Sequence, residues 1–144
     1  MTKQICFLFF FLFSSLCLFA QPEKMNRWIS QYKNEANSNG YTLIATGGLD
    51  ISYDDGMIFD IKDYYAGDYL IVIIVDNCTM CQVEVLSTNL INGGKSNEKP
   101  SMQYAENMGV GFLQFRESGY AKADLTIYTT SNTYRYGYAM LFKK

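Results

Sequence analysis

The chain of 144 residues contains no histidine. Serine and cysteine triads, the histidine-containing zinc sites and imidazole acid–base catalysis are therefore excluded, and much of hydrolase chemistry goes with them. Cysteine is scarce as well. Cys6 and Cys17 fall within the first twenty residues, which leaves Cys78 and Cys81 as the only pair afterwards. A structural zinc site on that pair lacks two of its four ligands. Positive charge is neither abundant nor clustered, with 12 basic residues against 14 acidic ones and a formal charge of −2. No nucleic-acid partner is expected.

Long apolar runs are also missing, apart from Ile5 to Phe13, which is too short to span about 30 Å of hydrocarbon. Lys3 ahead of that run and the small residue Ala20 at its close mark residues 1–20 as a cleavable secretory leader. Export to the periplasm or the extracellular space is expected, and the membrane is met only through the cleaved leader. The rest suffices for one domain with a real core, divided into an N-terminal helix at 21–40 and a β-domain at 41–144.

What is present is tyrosine, 12 in all and every one after the leader. In the segment EKMNRWISQYKNEANSN, Met25, Trp28, Ile29, Tyr32 and Ala36 recur at helical spacing, and Asn39 with Gly40 closes the pattern as a C-terminal cap. Beyond Gly40 the residues read as β, with strands near 41–46, 57–62, 69–75, 82–87, 101–105, 110–116, 121–130 and 133–142. Eight strands suit an antiparallel β-sandwich or jelly roll. The last two, joined at Ser131-Asn132, read as a hairpin. YLIVIIV, Tyr69 to Val75, is apolar at every position, so both faces of that strand must be covered. A sandwich core covers only one, and the Trp28 stripe of the helix is the spare apolar surface for the other.

The run MIFDIKDYYAGDYLIVIIVDNCTMCQVEVL resembles the small secreted β-sandwiches of the bacterial pre-peptidase C-terminal type. The likeness lies in the strand at Ile58, the Ala66-Gly67 turn, a strand opening on Tyr69, an aspartate-rich turn with paired cysteines, and the alternating strand from Val83. GFLQFRESGYAKADLTIYTT looks like the later strand pair of that family. The resemblance implies a non-catalytic accessory domain of the kind appended to secreted hydrolases. Where the family carries two aspartates after the acidic turn, this chain has Gln82 and Glu84.

Candidate chemistry is sparse. Cys78 and Cys81 lie between two strands with no helix beside them to lower a thiol pKa, which argues against a thioredoxin-like centre. Residues three apart in a tight turn come within about 7 Å, and an exported chain meets oxidising conditions, so the pair reads as a disulfide. Seven aspartates and one lysine, Lys62, lie between residues 50 and 76. Asp50, Asp54, Asp55 and Asp76 are candidate calcium ligands, although the spacing is not that of an EF-hand loop. The alternative is that they hydrogen-bond the backbone of tight turns. No other cofactor is expected.

Tyr53, Tyr64, Tyr65 and Tyr128, in turns or on the polar side of a strand, are candidates to stack on a ligand such as a sugar ring; the alternative is that they cover sheet edges with one wet end. No catalytic residue is nominated. The reading is a non-catalytic exported binding or structural accessory module with a protein or glycan partner. Its alternative is a carbohydrate-binding module or a carboxylate-based glycan-active enzyme, for which no acid pair can be named because sequence spacing does not set distances between strands.

Overall fold

The structure, a computed structural model, describes residues 23–51, 57–59, 63–129 and 135–144. The leader, the Ser131-Asn132 turn, Tyr53, Asp54 and Asp55 lie outside the described residues. Residues 23–38 form helix α1. It ends in a Schellman motif: Gly40 adopts φ 84°, the Tyr41 amide donates to the Ala36 carbonyl and the Gly40 amide to that of Asn37. No described helix is long and apolar enough to cross a membrane.

Ten strands follow among the described residues: β1 Thr42–Ile51, β2 Met57–Phe59, β3 Asp63–Tyr64, β4 Gly67–Asp76, β5 Val83–Asn89, β6 Lys95–Glu98, β7 Ser101–Ala105, β8 Met108–Glu117, β9 Ala121–Thr129 and β10 Arg135–Lys143. They make two antiparallel sheets. One has the order β1-β10-β4-β8-β7, and the other β2-β9-β5-β6 with β3 also paired to β9. Among the described residues the chain is thus mainly β, a sandwich with one helix. The two strands beyond the expected eight are β3 and β6. All four residues of β6 are exposed, so it carries no apolar alternation and is defined by its pairing with β5.

The central strand β4 is buried on both sides. Ile71, Ile73 and Val75 enter the core between the sheets, with Val83, Val85, Leu125, Ile127 and Leu141. Val72 and Ile74 face outward into a second cluster with Met25, Trp28, Ala36, Met140 and Phe142. Helix α1 therefore covers the outer face of the sheet that holds YLIVIIV. The Tyr32 ring bridges Trp28 and Phe112 at centroid distances of 5.9 and 5.4 Å.

The expected hairpin of the last two strands does not form. β9 pairs with β2, β3 and β5 in one sheet, whereas β10 lies between β1 and β4 in the other. The burial of β10 explains this. Ala139 and Leu141 enter the inter-sheet core while Met140 and Phe142 meet the helix cluster, so β10 needs a central place in the helix-covered sheet. β9 has one apolar row, with Leu125 and Ile127, and suits the sheet whose other face is wet.

Cys78 and Cys81 form a disulfide with a Cα–Cα distance of 5.2 Å, on the crossover from β4 to β5. It is not a surface staple, because both residues are buried in the inter-sheet core. The Cys78 amide donates to the Asn107 carbonyl and the Tyr104 hydroxyl donates to that of Cys81, tying the crossover to the β7–β8 hairpin. Closing so short a loop stabilises by about 2 kcal/mol in the chain-entropy model. Alkylation followed by intact-mass measurement is expected to find no free thiol before reduction and two after it. Urea unfolding of the reduced form should show a loss of about that size.

Candidate functional site

Strand β3 is two residues long, and its alternation sets the site. Tyr64 turns inward and is 2 % exposed, while Asp63 faces solvent. Asp63 pairs with Lys122 and Tyr64 with Ala121. One step further along this ladder stand Tyr65 and Tyr120. Both are displayed, at 61 % and 55 % exposure, with ring centroids 5.5 Å apart and planes tilted by 52°. Leu125 and Ile127 of β9 point into the core, so Tyr120 and Lys122, of opposite parity, project from the outer side.

The pair is held from both sides. The Tyr120 hydroxyl donates to Asp63 Oδ1 at 2.5 Å, and Lys122 Nζ lies 4.0 Å from the same oxygen. That hydrogen bond, followed by desolvation and the charge of Asp63, holds the Tyr120 phenol above the usual tyrosine range, so it stays a donor. The Tyr65 backbone is clamped by Tyr69, whose hydroxyl donates to the Tyr65 carbonyl at 2.7 Å and accepts from its amide at 3.1 Å. The Tyr69 ring stacks on Phe115 at 5.0 Å with planes 7° apart. Lys143 Nζ, from the end of β10, sits 5.9 Å from the Tyr65 ring centroid and 5.6 Å from that of Tyr69. The result is a preorganised patch of two exposed rings, with one carboxylate and two ammonium groups at its rim.

Of the tyrosines nominated from sequence, Tyr65 belongs to this patch. Tyr64 lies in the core, where its ring meets Tyr69 and Phe115 edge-on. Tyr128 is half-buried on β9, eight residues beyond Tyr120. At about 3.4 Å per residue that is about 27 Å away, outside the patch. Tyr120 carries no local sign in the sequence, because only the β3–β9 register brings it to Tyr65. The side chains of Asp63 and Asp68 serve cross-strand pairs. Asp68 receives two hydrogen bonds from Arg116, its partner across the β4–β8 ladder, and this holds its carboxyl below the usual range. Asp76 accepts from the Asn77 amide at 2.7 Å, and the backbone of Asp50 pairs with Tyr136. Among the described residues no three acidic or cysteine side chains cluster as a metal site.

Fold and patch together define an antiparallel β-sandwich with an aromatic platform beside β3. No family model and no curated protein matches the chain. Solved structures similar to it include a family GH115 4-O-methyl-α-glucuronidase with specificity for decorated arabinogalactans, at 10% identity and a TM-score of 0.43 over 70% of this chain. A second holds the CBM22-1 and GH10 modules of Clostridium thermocellum xylanase 10B with xylohexaose, at 11% identity and 0.41 over 73% of this chain. A third is the CBM22-1 xylan-binding domain of Paenibacillus barcinonensis Xyn10C, at 8% and 0.41 over 72%. The chain spans 16% and 26% of the length of the first two, and 85% of the third.

Proposed function

We propose that this chain is a non-catalytic glycan-binding β-sandwich whose binding surface is the Tyr65–Tyr120 platform. The observation that carries the reading is the exposed ring pair, with the Tyr120 ring held by Asp63 and the Tyr65 backbone clamped by the Tyr69 hydroxyl. Aromatic faces present apolar area to the C–H face of a sugar, while phenol, carboxylate and ammonium groups at the rim bond its hydroxyls. A ring and a backbone already held need little further ordering on binding, which favours affinity. The exported, accessory character of the module rests on the leader-like residues 1–20 and on the likeness of the run from Met57 to domains of the pre-peptidase C-terminal type.

Affinity electrophoresis and calorimetry against soluble polysaccharides, xylan and arabinogalactan among them, test this with and without calcium. Tyr65→Ala and Tyr120→Ala are each expected to weaken binding about tenfold or more, the loss of a binding hot spot. Retention unaltered in both variants, or absent across the whole panel, would reject the platform. Release of reducing ends would reject the non-catalytic reading.

A further inference from the structure

The sandwich is open along one edge. β7 pairs with β8 only from Met108 to Phe112, so residues 113–117 of β8 have no β7 partner. A cleft of about 290 Å³ enters there between the sheets. Strand alternation would fill its inward positions with apolar side chains. Part of the lining is apolar, with Ile71, Val85 and Leu125, but Ser87, Ser96, Glu98, Gln114 and Glu117 line it too, and Ser87 and Ser96 are directly paired across β5 and β6. Neither glutamate has an ion-pair partner among the described residues. Tyr64 also lines the cleft, and its buried hydroxyl has no hydrogen-bond partner among the described residues. The Phe115 ring forms part of the apolar wall.

These groups form a mixed set. Two carboxylates accept, two serines do either, and a buried phenol is left with a proton to donate. An organic cation would answer the carboxylates alone, and an apolar ligand would answer neither. A polyhydroxylated ring answers all of them and sets its C–H face against Phe115. We infer that the cleft receives one neutral sugar ring at the end of a glycan chain, with Tyr64 donating to a ring or hydroxyl oxygen and Glu98 and Glu117 accepting from sugar hydroxyls. The inference rests on the glycan-binding reading above. The volume lies at the lower limit of ligand pockets and suits one ring rather than a chain. Burial, with smaller contributions from Tyr69, Asp124 and Glu117, pushes the Tyr64 phenol far above the ordinary tyrosine range, which keeps it a donor. Two carboxylates without an ion-pair partner among the described residues disfavour a uronic acid in the same place.

Calorimetric titration of the whole chain with neutral oligosaccharides, and with the same chains ending in a uronic acid, tests the cleft. Tyr64→Phe and Glu117→Gln are each expected to weaken neutral-chain binding about tenfold, a hydrogen bond's worth. Uronic-acid ends should bind more weakly than neutral ones. The melting midpoint of Tyr64→Phe without ligand should stay level or rise, because the hydroxyl removed has no hydrogen-bond partner among the described residues. Wild-type affinity in both cleft variants, with binding lost in Tyr65→Ala, overturns the cleft and leaves the platform standing. Wild-type affinity in all three variants, or no binding by the wild type, overturns the glycan reading and the cleft with it. A lowered midpoint for Tyr64→Phe with unchanged affinity assigns the hydroxyl a structural role and also overturns the cleft.

Discussion

Alanine in place of Trp28 lowers the free energy of unfolding by about 3 to 5 kcal/mol, the range for a large aromatic truncated in a core. The indole is 8 % exposed and belongs to the cluster of Val72, Ile74, Met140 and Phe142. Those residues form the outer face of β4 and β10, which α1 covers. A typical domain is stable by only about 5 to 15 kcal/mol, so this one truncation removes a large share. Urea unfolding followed by tyrosine fluorescence should give a lower midpoint with an unchanged slope, since the folded and unfolded end states stay the same. A midpoint equal to that of the wild type would mean that α1 contributes no packing energy.

Gly109→Ala is the second large effect. A Cβ built on Gly109 would collide with Cys78 Sγ and fall 3.2 Å from both Cys78 Cβ and Met102 Cε. A flexible side chain could swing aside, but Sγ is fixed by the disulfide to Cys81, inside the inter-sheet core. Backbone or crossover must shift, at a cost of about 1 to 3 kcal/mol, as for other overpacked cores. The effect should be coupled to the disulfide. In a Cys78→Ala, Cys81→Ala background the same glycine substitution should cost measurably less, because the atom it meets is gone. Scanning calorimetry of the four proteins closes the cycle. Equal losses in the two backgrounds would mean that the glycine is not there to admit the disulfide.

These two positions differ in how far they could be read ahead of the structure. The docking of Trp28 follows from two local patterns, an all-apolar strand and an amphipathic helix with no other partner, and the structure joins them. Gly109 carries no local sign, since its contact with Cys78 depends on where β8 passes the crossover. The same division explains the missed pairing of β9 and β10. Their nearness in sequence suggests a hairpin, but the four-way burial of Ala139, Met140, Leu141 and Phe142 is a tertiary demand that overrides it. β6 was illegible for the opposite reason, having only exposed polar residues and deriving its form from hydrogen bonds to β5.

The candidate site divides likewise. Tyr65 could be nominated because it lies in a polar turn, but Tyr64 beside it has the opposite orientation, which one-residue parity decides. Tyr120 joins Tyr65 through strand register alone. The polar residues facing the cleft break the apolar alternation of β5 at Ser87 and of β8 at Glu117. Such failures of local consistency tend to fall at functional positions.

Ligand binding at the Tyr65–Tyr120 platform is tested by amide chemical-shift mapping of the labelled protein during titration with a bound oligosaccharide. Saturable shifts are expected at Asp63 to Tyr65, Tyr120 to Lys122 and Lys143, with residues 23–38 unmoved. Shifts centred on the helix or on β1, with the platform unmoved, would contradict it.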